Sequence, residues 1–423
     1  MEKAIAIAIN TFKTKADIDY QIEELTNLAL ACNIDVTQTF IQNLEVQQPV
    51  TYLGKGKLME LKELINDNEI NLIVVNDELS PNQINYLTDY LDVEIYDRTF
   101  LILEIFNSRA KTKEALLQVK AATLKYMLPR LIGMHKNLSR QRGTTAQGIA
   151  QGRGAGETKL ELDRRNIKKQ LTSVQNELKR LVKQRKQQRT RRKKEGLKIV
   201  GLVGYTNSGK SSLLNALLKH SVARKKDVFQ KDMLFATLET STRLIQTESN
   251  SRFLVTDTVG FVNNIPHHLI EAFKSTLEEI NEADLIIHVV DATAPHYEKQ
   301  IETTNFVLDE LGIIKKPIIY VFNKMDIQPT PVIIPHYCEH ALHISALNNT
   351  NIDILINKME SFLFADYQTI TINTGLHDAN LIELIKKESI IVSETFNENT
   401  HIITAKVPIW VYQELINNKG ISV

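Results

Sequence analysis

The sequence predicts an α/β protein. A doubly wound sheet domain is preceded by a smaller α/β domain carrying a long helical hairpin, and is followed by a small α+β module. Three observations predict this. Short apolar runs alternate with helical patterns in both halves of the chain, as in parallel strands joined by crossover helices. A glycine-rich turn joins a strand to a helix at residues 204–211. Between the two α/β regions, Leu160, Ile167, Val174 and Leu181 recur every seven positions, the spacing of a coiled-coil seam. The expected division is an N-terminal α/β domain at 1–98, a basic helical hairpin with a Gly-rich tip at 99–196, the larger sheet domain at 197–365, and the C-terminal module at 366–423.

In chain order, the run Ala4-Ile5-Ala6-Ile7-Ala8-Ile9 gives a first strand over 3–9. A leader peptide fits less well, because the apolar run is short and Lys13, Lys15 and Asp17 follow it at once. An amphipathic helix over 17–31 comes next, then a strand at 35–41, a helix at 57–65, a buried strand at 72–75, a helix at 81–91 and a strand at 93–96. Ser80-Pro81 is a helix start, with the serine as cap and the proline in the first turn. From 98 to 131 the pattern is continuously helical. Gly133, Gly143, Gly148, Gly152, Gly154 and Gly156 then interrupt it, and helix resumes near Glu157. Two long helices around a polar, glycine-rich stretch read as an antiparallel hairpin. Strands of the larger domain are expected at 199–203, 253–256, 285–290, 318–322 and 342–344. The last module reads strand (369–373), helix (380–387), strand (390–395), strand (401–406) and helix (409–417), with Trp410 as a packing residue.

Composition sets the bounds. The 423 residues suggest two to four domains at about 100–200 residues each. A hydrophobic share of 43% and a charged share of 24% exclude a fully disordered or fibrous chain. Two cysteines, Cys32 and Cys338, exclude a disulfide scaffold and a Cys-rich zinc module, and fit a reducing compartment. No apolar run reaches the length of about 18–20 residues that a membrane helix needs. The net charge of +1 conceals an uneven chain: residues 130–198 hold 21 Lys/Arg against 5 Asp/Glu, and the remainder holds 30 against 45. Such asymmetry points to a polyanionic partner for the basic segment.

Gly204-Tyr205-Thr206-Asn207-Ser208-Gly209-Lys210-Ser211 satisfies G-x-x-x-x-G-K-[ST] between an expected strand and an expected helix, the context of a phosphate-binding P-loop. Glycines let backbone N–H groups turn towards phosphate oxygens, and the helix N-terminus adds its dipole. Lys210 would reach the β- and γ-phosphates, and the Ser211 hydroxyl would ligate magnesium. Asn323-Lys324-Met325-Asp326 follows the expected strand at 318–322. A carboxylate at Asp326 can accept from guanine N1–H and the exocyclic amine, a donor pair that adenine lacks. Ser345-Ala346-Leu347 would bring a backbone N–H to guanine O6. Asp257-Thr258-Val259-Gly260 fits D-x-x-G: Asp257 would hold magnesium through water, and the Gly260 N–H would sense the γ-phosphate. Lys210 and Gly260 are thus the candidates for acting on the reacting phosphate. Phe235-Ala236-Thr237-Leu238-Glu239 lies between the two motifs, with Thr237 the candidate to complete the magnesium shell and Thr240 and Thr242 its rivals. Together these motifs specify a P-loop GTPase domain.

The combination resembles the HflX family of translation-associated GTPases. The resemblance rests on residues 204–211, 235–239, 257–262 and 323–326, and extends to Tyr96-Asp97-Arg98-Thr99, to Leu116-Leu117-Gln118-Val119, and to Gly154-Ala155-Gly156-Glu157-Thr158-Lys159-Leu160-Glu161 with Asp163-Arg164-Arg165. Ala155 and Lys159 depart from the family's usual Pro and Gln. The resemblance implies GTP and GDP as ligands, Mg2+ as cofactor, a cytoplasmic, ribosome-associated protein, and the 50S subunit with its rRNA as partner. It further implies splitting or rescue of stalled ribosomes under stress; a monomer with no membrane span is expected.

Phe261 stands where Ras-like enzymes carry a water-orienting glutamine, so slow hydrolysis that a partner accelerates is expected. Asn207 matches the position that coordinates an activating K+ in related GTPases, although an asparagine there can also simply stabilise the turn. Arg140, Arg142 and Arg153 in the tip, and Arg189, Arg191, Arg192, Lys193 and Lys194 at the helix end, are the expected RNA contacts, since a cationic rod suits a phosphate backbone. Tyr52-Leu53-Gly54-Lys55-Gly56-Lys57 lacks P-loop spacing and reads as an RNA contact or a plain turn. Histidines 267, 268, 340 and 343 show no metal-ligand pattern. The rival readings are a GTPase serving ribosome assembly or tRNA modification, the latter calling for a reactive cysteine, and a GTP-gated RNA-binding module in which hydrolysis is incidental.

Overall fold

The computed structural model describes residues 1–11, 15–131, 154–194, 197–222, 241–258, 260–263, 266, 269, 280–313, 316–327, 332–374, 379–397 and 400–419. The chain divides into two compact units. The first comprises Met1–Arg189 with Asp232–Glu239 and Val262–Ser275; the second comprises Thr190–Lys231, Thr240–Phe261 and Thr276–Val423.

The first unit opens with β1 (Glu2–Asn10), α1 (Lys15–Ala31), β2 (Ile34–Asn43), α2 (Lys55–Asn68), β3 (Leu72–Val75), α3 (Pro81–Leu91) and β4 (Glu94–Asp97). Its four strands are all parallel, in the order β2-β1-β3-β4. β3 is buried along its whole length, which is why it reads as an unbroken Leu-Ile-Val-Val run. Ile5, Ile7, Ile73 and Val75 from the sheet meet Leu58, Leu61 and Leu87 from α2 and α3 in one apolar cluster. Ser80 caps α3 as expected: its side chain accepts from Gln83 N, Gln83 reciprocates, and Pro81 follows. Residues 52–54 lead into α2, whose first turn holds Lys55, Gly56 and Lys57. Tyr52 is fully buried, its hydroxyl donates to Asp77 at 2.6 Å, and Gly54 is the helix cap.

The expected continuous helix from 98 to 131 is in fact broken. α4 (Arg98–Arg109) ends at Ala110, and α5 (Lys113–Met127) starts afresh with Thr112 as cap, accepting from Ala115 N at 3.3 Å. Threonine competes with helical hydrogen bonding when it can cap instead, and apolar periodicity does not register that choice. α6 (Gly154–Lys194) is 41 residues long. The ion pair from Lys113 Nζ to Glu177 Oε1 (2.5 Å) joins the start of α5 to the middle of α6. On the heptad seam Val174 is buried. The tip residues Arg140, Arg142 and Arg153 lie outside the described residues.

In the second unit β5 (Lys198–Gly204) leads into α7 (Lys210–Lys219). It is followed by β6 (Ser241–Gln246), β7 (Arg252–Asp257), β8 (Leu285–Asp291), α8 (Tyr297–Glu310), β9 (Ile318–Asn323), β10 (Ala341–His343) and α9 (Ile352–Leu363). The sheet order is β10-β9-β8-β5-β7-β6. Every pairing is parallel except that of the edge strand β6 with β7. The chain winds outward in both directions from β5. This places the topological switch point, where doubly wound sheets bind ligands, at the carboxyl end of β5. The C-terminal part adds β11 (Gln368–Thr374), α10 (Ala379–Glu388), β12 (Ile390–Asn397), β13 (Thr400–Val407) and α11 (Ile409–Lys419), with its three strands antiparallel in the order β11-β13-β12. Trp410 is not the packing residue expected. It is 51% exposed, while Val411 and Leu415 are buried; they lie four positions apart on the helix face turned to the sheet.

Candidate nucleotide-binding site

The loop 204–209 leaves the central strand β5 and enters α7 directly. Gly209 has φ 94°, and a Cβ there would stand 2.2 Å from Asn323 Nδ2, so only glycine fits. Asn207 takes φ 61° at the exposed tip of the loop. Lys210 is buried, and its Nζ donates to the carbonyls of Gly204 (3.1 Å) and Tyr205 (2.7 Å). Burial pushes its ammonium down to about 8, with the nearby Asp257 carboxylate acting in the opposite direction. Thr206 Oγ1 and Ser208 Oγ are buried with no hydrogen-bond partner among the described residues. Polar atoms held dry in this way at a helix N-terminus suit an anion with many acceptor oxygens.

Ser211 Oγ donates to Asp257 Oδ2 at 2.7 Å, which joins the start of α7 to the end of β7. Two hard oxygen donors brought together beside a phosphate cradle fit a magnesium ion. Gly260 packs against the P-loop: a Cβ there would lie 2.8 Å from Thr206 Cα and 3.0 Å from Lys210 Nζ. The next residue is bonded to the loop through its backbone. Phe261 N donates to the Gly204 carbonyl (3.1 Å), and Thr206 N donates to the Phe261 carbonyl (2.7 Å). The Phe261 ring is itself buried, and a phenyl ring offers no donor or acceptor to orient water. Thr258 is buried, its hydroxyl donating to the Leu202 carbonyl at 2.6 Å. Phe235, Ala236, Thr237, Leu238, Glu239, Val259 and the rival Thr240 lie outside the described residues. The other rival, Thr242, sits in β6 with its hydroxyl 3.1 Å from Thr256 Oγ1.

Across the site from Lys210, Asn323 is buried where β9 ends. Its Nδ2 donates to the Ser208 carbonyl and its Oδ1 accepts from Ala346 N, both at 3.0 Å. One side chain thus ties together the P-loop and the Ser345-Ala346-Leu347 turn. Asp326 is oriented by Ser345 Oγ at 2.5 Å, and Met325 N donates to the Ile344 carbonyl. Lys324 takes φ 70° and pairs with Asp291 Oδ2 at 2.7 Å. The structure therefore brings residues 204–211, 257–258, 260–261, 323–326 and 345–347 to one end of one sheet.

Two residues at this end escaped the sequence reading. Asp291 carries Lys324 from the end of β8, and its only signal was its place just after an apolar run. His288 is fully buried near Lys210, its imidazole pushed down to about 3 by burial, with the lysine's charge adding to the effect. It stays neutral at any working pH, and nothing in the chain pattern marked it.

Elsewhere, Arg164, Arg165, Lys168 and Lys169 are exposed on successive turns of α6 and line an open groove with Glu161 and Thr172. The Cys32 and Cys338 thiols are pushed up to about 11, in each case chiefly by burial, so neither is a ready nucleophile. Among the described residues there is no cluster of three or more potential metal-binding side chains, and no helix long and apolar enough to cross a membrane.

Comparison with known proteins agrees with this geometry. Residues 19–107 match the family described as GTP-binding GTPase N-terminal, residues 109–192 the GTP-binding GTPase Middle Region, and residues 199–324 the family described as 50S ribosome-binding GTPase. The GTPase HflX of Caldanaerobacter subterraneus subsp. tengcongensis is 40% identical over 416 residues, covering 98% of this chain and 93% of that protein. That of Lacrimispora saccharolytica is 39% identical over 421 residues, covering 99% and 96%. That of Escherichia coli K12 is 36% identical over 321 residues, covering 76% and 73%. The loop at 204–209, the turn at 323–326 and similarity along nearly the whole chain converge on a protein that binds and hydrolyses GTP, and the chain belongs to the HflX family of GTPases.

Proposed function

We propose that this GTPase works on the large ribosomal subunit, gripping rRNA through its basic helical arm and splitting or rescuing stalled ribosomes under stress. The observation that supports this most is the pairing, on one chain, of a GTP site with a 41-residue helix in the segment carrying 21 Lys/Arg against 5 Asp/Glu. A cationic rod on an otherwise acidic protein would bind RNA through that rod, with the salt sensitivity of counterion release. Arg140, Arg142, Arg153, Arg189, Arg191, Arg192, Lys193 and Lys194 are the proposed contacts, and Arg164, Arg165, Lys168 and Lys169 extend the stripe. On this reading the four-part division at 98, 196 and 365 separates RNA grip from nucleotide chemistry, and the protein is a cytoplasmic monomer.

Within the site, Asp326 would read guanine, Asn323 would brace the reading loop, and the 204–209 backbone would cradle the phosphates. Lys210 would leave the Gly204 and Tyr205 carbonyls for the β- and γ-phosphates, and the Gly260 N–H would meet the γ-phosphate. Ser211, with Thr237, would hold magnesium, and Asp257 would act through water. Bound magnesium would neutralise charge developing on the phosphates. With a buried phenyl ring at Phe261, unaided hydrolysis is slow, and the ribosome supplies or rearranges what that position lacks. Potassium at Asn207 would add a further charge.

Sedimentation of 70S ribosomes with this protein and GTP tests the reading. Conversion to 50S and 30S peaks is expected; unchanged 70S particles would refute splitting. The buried Phe261 ring favours one second reading, a GTP-gated RNA-binding module. On that reading ribosome binding would differ between GDP and a non-hydrolysable GTP analogue, and ribosomes would not stimulate turnover.

A further inference from the structure

The β6–β7 hairpin runs from the nucleotide site to the C-terminal module. At its open end Ser241 pairs with Asp257, and Thr242 with Thr256; Asp257 is the residue that meets Ser211. At its closed end the residues Thr247, Ser249, Asn250 and Ser251 are hydroxyl- or amide-bearing, and Thr247 and Ser251 are buried. A single oxygen of Glu360, on α9, accepts from Thr247 Oγ1 (2.9 Å), Ser249 Oγ (3.2 Å) and Ser251 Oγ. Asn250, at φ 66°, donates from Nδ2 to the carbonyls of Lys386 (2.5 Å) and Ser389 (3.2 Å) at the end of α10. The Ser249 carbonyl accepts from Ile391 N, in β12, at 2.9 Å.

We propose that Glu360 and Asn250 are positioning residues for the nucleotide chemistry. Helix α9, through Glu360, and the C-terminal module, through Asn250, fix where β7 delivers Asp257 against Ser211. The argument is geometric. Sealing the hairpin tip would need only apolar contact. Three hydroxyls converging on one carboxylate oxygen, with an amide across two helix-end carbonyls, instead specify how far the hairpin extends along its own axis. Sliding the strands would break these bonds and leave buried polar groups unsatisfied. Because β6 and β7 are locked in register and β7 pairs with β5 up to Leu202 opposite Asp257, a shift imposed at the hairpin tip is carried along β7 to Asp257 and so to Ser211. The C-terminal module thereby gains a role in GTP turnover, and a partner pulling on it would act on the metal side of the site.

The test is release of a fluorescent GDP from the full chain, followed by stopped flow in excess magnesium and again in EDTA. Glu360→Ala is expected to release GDP roughly three- to tenfold faster in magnesium and at the parental rate in EDTA, where Ser211 and Asp257 have no metal to hold. Glu360→Gln keeps an acceptor oxygen and should restore slow release. Asn250→Asp should reproduce the Glu360→Ala effect. It lies at a half-exposed turn whose left-handed backbone aspartate also adopts, so it carries the test if Glu360→Ala does not fold. Parental release in magnesium would overturn the proposal. So would equal acceleration in magnesium and EDTA, which would make the hairpin tip only a brace between the module and the sheet.

Discussion

Replacing Asn323 by alanine should uncouple the two ends of the nucleotide site. The side chain makes two buried hydrogen bonds of 3.0 Å, one to the Ser208 carbonyl and one from Ala346 N. Both partners belong to loops that would touch nucleotide, the first under the phosphates and the second beside the base. Each bond contributes about 1 kcal/mol net, and a buried group left unsatisfied costs about 1–3 kcal/mol. Two bonds therefore predict a loss of about 2–3 kcal/mol, a fall in guanine-nucleotide affinity of about 30- to 150-fold. Titration with a fluorescent GDP measures it directly. Melting with and without nucleotide separates the loss of binding from loss of fold, because ligand stabilisation follows the affinity. Asn323→Asp should fare no better: its carboxylate can still accept from Ala346 N, but it has no donor for the Ser208 carbonyl. Affinity within about threefold of the parent, with melting unchanged, would refute the idea that this side chain couples the loops.

The site's electrostatics predict a pH dependence. In the nucleotide-free protein Lys210 titrates near 8, and polyphosphate must raise that value. Below pH 8 the lysine is already charged, and affinity should be flat. Above it each binding event takes up a proton, so GDP affinity should fall by up to about tenfold per pH unit, and a flat profile from pH 7 to 9 would contradict this. Gly260→Ala should impair GTP binding or turnover while sparing fold, because its methyl would press on Thr206 Cα at 2.8 Å; parental kinetics would show that the segment is free to move aside. In the first unit, Arg98 is 1% exposed, paired with Glu24, and donates to Asn76 Oδ1 and the Asn263 carbonyl. Arg98→Ala should cost about 3–5 kcal/mol in denaturant unfolding, and the double change Arg98→Met with Glu24→Leu should cost less, because it does not strand a buried charge. Equal losses in the two variants would exclude that explanation.

Which residues gather at the carboxyl end of the larger sheet was mostly legible from residue order. The P-loop must turn a short stretch of backbone around one anion, so Gly204 to Ser211 had to be contiguous, and Asn323 to Asp326 likewise sit in a single turn. Strands such as β3 and β8 are buried along their length and stand out as apolar runs. β6 did not stand out, because Ser241–Gln246 is an edge strand with mostly half-exposed residues. The pause at 110–112 was hidden because α4 and α5 each carry apolar periodicity up to it.

The sequence by itself determined that this chain folds around a GTP site and carries a basic arm, since both follow from the kinds of residue at fixed local spacings. Only the tertiary structure decided which distant residues hold that site in shape. Asn323 reaches Ser208 across 115 residues, and Thr247 reaches Glu360 across 113. Such pairings arise when sheet order brings remote strand ends together. Spacing along the chain carries no trace of them, because a hydrogen bond depends on the distance between atoms and not on the number of residues separating them.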